Sequence, residues 1–281
     1  MSVVAVPSLG GRARVSKAAW SALAWLVAIV FFFPVLWMAL EGLKTEVQAA
    51  SIPPTIFFTP TLTALQDVLS RDFAPYLINS ATATIGSTLL VLLLGLPAAY
   101  ALSIRPVKRS RDVLFFFIST RFLPFAASLV PLYILARDLH LLDNIMALVI
   151  IYTTINLPLG IWLLRSFMLE LPHELIEAAR VDGASMRHEL INIVLPLITP
   201  GIAATSLICL IFAWNEFFYA VNFTTTIAAT SPIFLVGFIS GRGLFYAKLA
   251  MAATLASLPV LLAGWIAQKQ LIRGLTMGAV K

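Results

Sequence analysis

The chain has 281 residues, of which 60% are hydrophobic and only 11% charged, against roughly 25% charged residues in an ordinary soluble domain. With a mean hydropathy of +0.96 there is too little polar side chain to face water all round, so a soluble globular fold and intrinsic disorder are both excluded. The net charge of +6 does not read as nucleic-acid binding, because basic residues in a membrane protein mark its cytoplasmic loops.

A helix needs about 20 apolar residues to cross the hydrocarbon, where no water is available to pair a free backbone group. Six stretches qualify: residues 18–40, 76–104, 113–136, 144–164, 196–220 and 249–268, with Arg121 and Glu216 as the charged exceptions. The fold class expected is therefore all-α and integral to the membrane, with six transmembrane helices. The first stretch follows basic residues, as a secretory signal does, but its 23 residues exceed an h-region of about 7–15, so it reads as a retained helix. Residues 1–17 and 269–281 are then tails flanking a transmembrane region over 18–268. Residues 41–75 form a Pro- and Thr-rich outer loop too short for an independent domain. The uncharged run 217–241 is long enough to span, yet Thr224, Thr225, Thr226, Thr230, Ser231 and Pro232 are turn chemistry, and a loop with a partly buried helix is expected.

Six spans place both termini on one side. With that side cytoplasmic, 13 of the 19 Lys and Arg lie inside (Arg12, Arg14, Lys17, Arg105, Lys108, Arg109, Arg111, Arg165, Arg180, Arg187, Lys269, Arg273, Lys281) and five outside (Lys44, Arg71, Arg137, Arg242, Lys248), which the positive-inside rule favours.

The inner loop at 165–195 is the most informative. Pro172 suits the first turn of a helix, Glu174 and Glu177 complement its positive end, and Gly183 stops it. Ser185 can cap a second helix, with Glu189 in its early turn, that runs into the next span. The result is a short helix, a sharp bend and a second helix, able to pass a rigid-body push into span five. The alternative is an amphipathic helix lying on lipid. Five acids (Glu170, Glu174, Glu177, Asp182, Glu189) against three bases would be repelled by anionic headgroups, which favours protein docking.

Glu177, Ala178 and Ala179, then Gly183 after three residues, then Ile193, Leu195 and Pro196, resemble the EAA loop of the membrane subunits of binding-protein-dependent ABC importers. The chain as a whole resembles the smaller permease of the maltose-type, carbohydrate branch. That resemblance implies a type I importer permease fold, with Glu177, Ala178, Ala179, Asp182, Gly183 and Ala184 seated in a cleft of a cytoplasmic ATPase. It also implies the partners: a second homologous permease, two ATP-binding cassette ATPases and an extracytoplasmic solute-binding protein, in a bacterial plasma (inner) membrane. No cofactor is expected in this chain. It carries no GxxxxGK[ST] phosphate loop, so ATP and Mg would be held by the ATPase partners and the chain itself is not expected to be an enzyme.

Several polar residues are candidates for a substrate path. Arg121 would cost on the order of 3 kcal/mol in hydrocarbon and should meet a partner or a wet cavity. Trp214, Asn215 and Glu216 set an aromatic face beside an amide and a carboxylate, which suits a hydroxylated ligand, although a boundary Trp and a Glu paired with a neighbouring helix are the stronger reading. Asn156 precedes Leu157 and Pro158, where a kink frees a carbonyl that Asn156 or Thr154 can satisfy. Ser80, Thr84 and Ser87 share one face of span two and suit helix packing. The single cysteine, Cys209, reads as a packed thiol, and His140, His173 and His188 have no metal-ligand spacing. Residues 31–49 together with the terminal GLTMGAVK look most like permeases for linear polyols such as sorbitol and mannitol, with other sugars open. An ion-coupled secondary transporter or channel, or a scaffold recruiting a soluble partner, are the competing classes.

Overall fold

The computed structural model describes residues 10–105, 107–122, 124–240 and 243–277, with side chains left aside at 10–17, 125, 240, 243–244 and 271–277. Arg12, Arg14, Lys17, Arg242, Arg273 and Lys281 of the charge balance, and most of the terminal GLTMGAVK, therefore lie outside what can be described of side chains. Fourteen helices, one π-helical turn and two two-residue strands follow one another among the described residues, so the all-α expectation holds.

The chain divides into two compact units. The first holds α1 (Gly10–Glu41), α2 (Glu46–Ala49), most of α3 (Thr63–Ser70), β2 (Gly243–Leu244) and the start of α14 (Tyr246–Met277). In α1 the window from Ala18 onward has a mean hydropathy of 2.5 and none of it is buried, with Trp20, Trp25 and Phe31 standing out. Such a surface is unfavourable in water and natural in lipid. The outer loop that follows is ordered around Lys44, which is 1% exposed: its ammonium donates to Glu41 Oε1 (2.6 Å) and lies over the rings of Trp37 and Phe58. Glu46 accepts from the Ala247 and Lys248 amides (3.1 Å each) and so caps the open end of α14.

The second unit holds α4 (Phe73–Ser103), α5 (Ser110–Thr120), α6 (Phe125–Asp138), α7 (Ile145–Leu169), α8 (His173–Val181), α9 (Met186–His188), a π-helical turn (Glu189–Val194), α10 (Leu195–Leu197), α11 (Thr199–Trp214), α12 (Phe218–Phe223), α13 (Ser231–Val236), β1 (Ile239–Ser240) and the rest of α14. Its centre is α4 packed along α7, with α11 against both. Small residues let these backbones approach: a Cβ at Gly95 would meet Leu164 and Ile161, and one at Gly160 would meet Val91. On the polar stripe of α4 the Ser80 hydroxyl pairs with Ser231 of α13 (2.9 Å), the Ser87 hydroxyl donates to Thr84 O of its own helix (3.1 Å), and the Ser87 backbone carbonyl accepts from Thr153 of α7 (3.5 Å).

Four helices among the described residues are long and apolar enough to cross a membrane: Ala18–Glu41, Phe73–Ser103, Ile145–Leu169 and Tyr246–Gln270. The other two expected spans are broken. The segment before α11 meets it at 77°. Pro196 and Pro200 flank that break, and neither can donate to a helical ladder. Span three is split into α5 and α6. Pro124, at φ −59° and ψ 127°, has already left helical backbone, so Arg121 sits at the end of α5 rather than inside a continuous helix.

Of the run 217–241, the described residues 217–240 form a loop bearing α12 and α13, as its threonines imply, and Asp143 holds the turn between the two helices. This carboxylate accepts hydrogen bonds from the backbone amides of Thr225, Thr226, Ile227 and Ala228 (3.0–3.2 Å) and from the Thr225 hydroxyl (2.7 Å). Partial burial alone would raise its pKa, but these donors hold the carboxyl well below the usual carboxylate range. Asp143→Ala is expected to cost about 2 kcal/mol, by leaving several amides without an acceptor. Hydrogen exchange should then speed up at residues 225–228 and stay unchanged in α4 and α7.

Candidate functional site

The 165–195 loop folds as its sequence grammar implies. Helix α7 continues through Leu169, and Pro172 then stands at the N-cap of α8 with φ −59° and ψ 128°. Helix α8 ends at Gly183, whose φ of +79° is a left-handed conformation that a β-carbon disfavours. Its amide donates to Arg180 O (3.1 Å), and that of Ala184 to Ala179 O (2.9 Å), so the bend satisfies the free carbonyls of α8. Ser185 then caps α9 by accepting from the His188 amide (3.3 Å).

Helix α8 has two faces. Ile176 is buried in a cluster with Tyr100, Leu164, Met168, Val194 and Ile198, and Ala179 is buried as well. Glu174, Glu177, Ala178, Val181, Asp182 and Gly183 are exposed, Val181 to 87%. Of the adjacent alanines, Ala178 is exposed and Ala179 buried. Around the bend lies a concave surface of 650 Å³ lined by Ala178, Ala179, Asp182, Gly183 and Ala184, among others. Five of the six residues expected at the coupling site are therefore exposed or half-buried around one bend, and the sixth, Ala179, supports it from beneath.

The residue that sequence reasoning undervalued is Glu189. Expected as a first-turn acid, it is instead fully buried. Arg180 Nε and Nη2 donate to its two oxygens (3.1 Å each), Arg105 Nη2 to Oε2 (2.9 Å) and the Tyr100 hydroxyl to Oε1 (2.7 Å). Burial by itself would raise its pKa. The donors from Arg180, Arg105 and Tyr100 outweigh that and hold the carboxyl at about 2. No sequence signal joins Glu189 to residues 84 and 89 positions away.

The substrate-path candidates separate. Arg121 lines a cavity of 540 Å³ with Thr120, Ser128, Thr153, Thr154 and Tyr219, in otherwise apolar walls of α4 to α7. Its guanidinium donates to Ile155 O (2.6 Å), three residues before Pro158 in α7, and lies 5.5 Å from the centre of the Phe212 ring. It is the one charged residue on that cavity wall. Asn156 is 1% exposed, and neither of its amide atoms finds a partner among the described residues. Trp214 is buried and donates to Ala256 O (3.1 Å), Asn215 donates to Ile211 O (2.8 Å), and Glu216 accepts from the Tyr219 and Ala220 amides as the cap of α12. These three do not line the Arg121 cavity. Among the described residues no group of His, Cys, Asp and Glu is placed to hold a metal.

A bundle of apolar helices with an exposed, bent helical element between two of them is the architecture of an importer's membrane permease. Over 94% of this chain and 99% of the other, it superposes with a TM-score of 0.70 and 22% identity on a chain of a bacterial ABC transporter involved in the import of the acidic polysaccharide alginate. Residues 91–272 match the family model for the binding-protein-dependent transport system inner membrane component, and the chain belongs to that family of multi-pass membrane proteins. Among its relatives are a probable ABC transporter permease of Sinorhizobium fredii, 40% identical over 94% of this chain and 96% of the relative, and a trehalose transport system permease of Mycobacterium tuberculosis, 30% identical over 93% and 97%.

Proposed function

We propose that this chain is the permease subunit of an ATP-driven carbohydrate importer, forming half of the translocation pathway and receiving force through α8 and the Gly183 bend. The observation that carries the reading is the two-sided α8: an exposed face of Glu174, Glu177, Ala178, Val181 and Asp182 available to a partner, and a buried face fixed to α4 and α7. A neighbouring ATPase that closes on ATP would swing this element and shift the helices between inward- and outward-facing arrangements. The second permease, the two ATPases with their ATP and Mg, and an extracytoplasmic binding protein complete the assembly, with both termini of this chain cytoplasmic. The name of the trehalose relative supports a sugar as cargo, and linear polyols such as sorbitol and mannitol are the first compounds to try. Arg121 and its polar neighbours are the part of this subunit best placed to meet a hydroxylated solute.

Uptake by the reconstituted complex with ATP enclosed should persist when an uncoupler collapses the proton gradient, and should stop when ATP is removed. Loss of uptake with the uncoupler at constant ATP would favour the ion-coupled alternative.

A further inference from the structure

Glu189 is bonded to three segments at once. Arg180 belongs to α8, Tyr100 to α4 and Arg105 to the turn just after α4. Arg180 reinforces the junction by donating to Ile104 O (3.3 Å), at the same end of α4. Glu189 itself opens the π-helical turn that leads through α10 toward α11. Such widened turns interrupt α-helices frequently at functional sites. A buried ionic cluster is a poor source of net stability, since desolvating the charges offsets most of their attraction. Its bonds are directional, however, and removing one partner strands a buried charge, so the cluster resists being pulled apart.

We propose that Glu189 is a positioning residue, a latch that makes α8 and the adjoining end of α4 move as one body. A push on α8 then reaches α4, and through it α7, as well as α11. The inference deepens the coupling role proposed above and rests on it. The competing account is purely local: Glu189 closes the loop on itself through Arg180, nine residues away, and the bonds to α4 transmit nothing.

The two accounts part when Glu189's own bonds to Tyr100 and Arg105 are cut and the Arg180 contacts are left in place. Tyr100→Phe combined with Arg105→Gln leaves the Arg180–Glu189 pair intact, and Arg105→Lys alone serves as the conservative rescue. The full importer, with its ATPases, second permease and binding protein, is reconstituted with spin labels at Leu93→Cys on α4 and His173→Cys at the start of α8, both exposed and outside the proposed docking face; the buried Cys209 stays unlabelled. With the latch intact, the 93–173 distance should stay constant to within about 2 Å between nucleotide-free and ATP-bound states, the scale of packed-helix shifts. In the double variant the distance should change with nucleotide. Solute moved per ATP should fall about tenfold while ATP hydrolysis continues, and Arg105→Lys should keep most of the ratio. A distance that changes with the latch intact, or a double variant with the unaltered ratio, would overturn the inference. If a crosslinker at Val181→Cys captures no ATPase, the coupling role itself fails and this inference with it, a result distinct from a latch that slips.

Discussion

Gly183→Pro is expected to abolish ATP-driven transport while leaving the membrane helices folded. Two changes coincide at that residue. Proline locks φ near −65°, whereas the bend requires +79°, and proline has no amide to donate to Arg180 O. A Cβ at this position would meet nothing within 4 Å, so the damage is confined to backbone direction. Gly183→Ala separates the two effects: it keeps the amide and carries only the left-handed penalty of about 1 kcal/mol. The alanine variant should therefore lose several-fold in transport and the proline variant at least about a hundredfold, a coupling loss near the upper end of the usual range. Thermal unfolding of the complex, followed alongside uptake, should show nearly unchanged helix stability in both.

Gly201→Leu is expected to do the opposite, destabilising the bundle before it affects docking. Gly201 lies just beyond the 77° bend into α11, and a Cβ there would clash with the edge of the Phe167 ring of α7 and lie 2.8 Å from its Cβ. A Phe167 rotamer change alone does not relieve contact with its own Cβ, so α7 and α11 must separate. Overpacking of this kind costs about 3 kcal/mol. The variant should unfold at a clearly lower temperature in detergent, and Gly201→Leu with Phe167→Ala should recover part of the loss. A Gly201→Leu protein as stable as the parent would show that this contact is not tightly packed.

The two variants also mark what could be read from the residues alone. The four unbroken spans were legible because about 20 uncharged residues have one common solution in lipid. The α8 elbow was legible because Pro172, Gly183 and Ser185 each impose a local backbone state that needs no tertiary information. Broken spans were not. Hydropathy averages over a window and registers composition, so α5 and α6 read as one helix although Pro124 lay between them, and the bend between Pro196 and Pro200 was absorbed into span five. Glu189 and Asp143 escaped for a different reason. Their partners are 82 to 89 residues distant, apart from Arg180, and only folding brings the donors together. Arg121 was noticed for its cost in hydrocarbon, and the structure adds where that cost is met: the Ile155 carbonyl, the Phe212 ring and a cavity.

The central claim is that the exposed face of α8 is held by an ATPase. Single cysteines at Glu174, Glu177, Val181 and Asp182, each tested with a short crosslinker in the assembled complex, address it most directly. Capture of the ATPase subunit from these positions, and not from the outer-loop position Val47, is the predicted result. Absence of any nucleotide-binding protein from the crosslinked product at all four positions would contradict it.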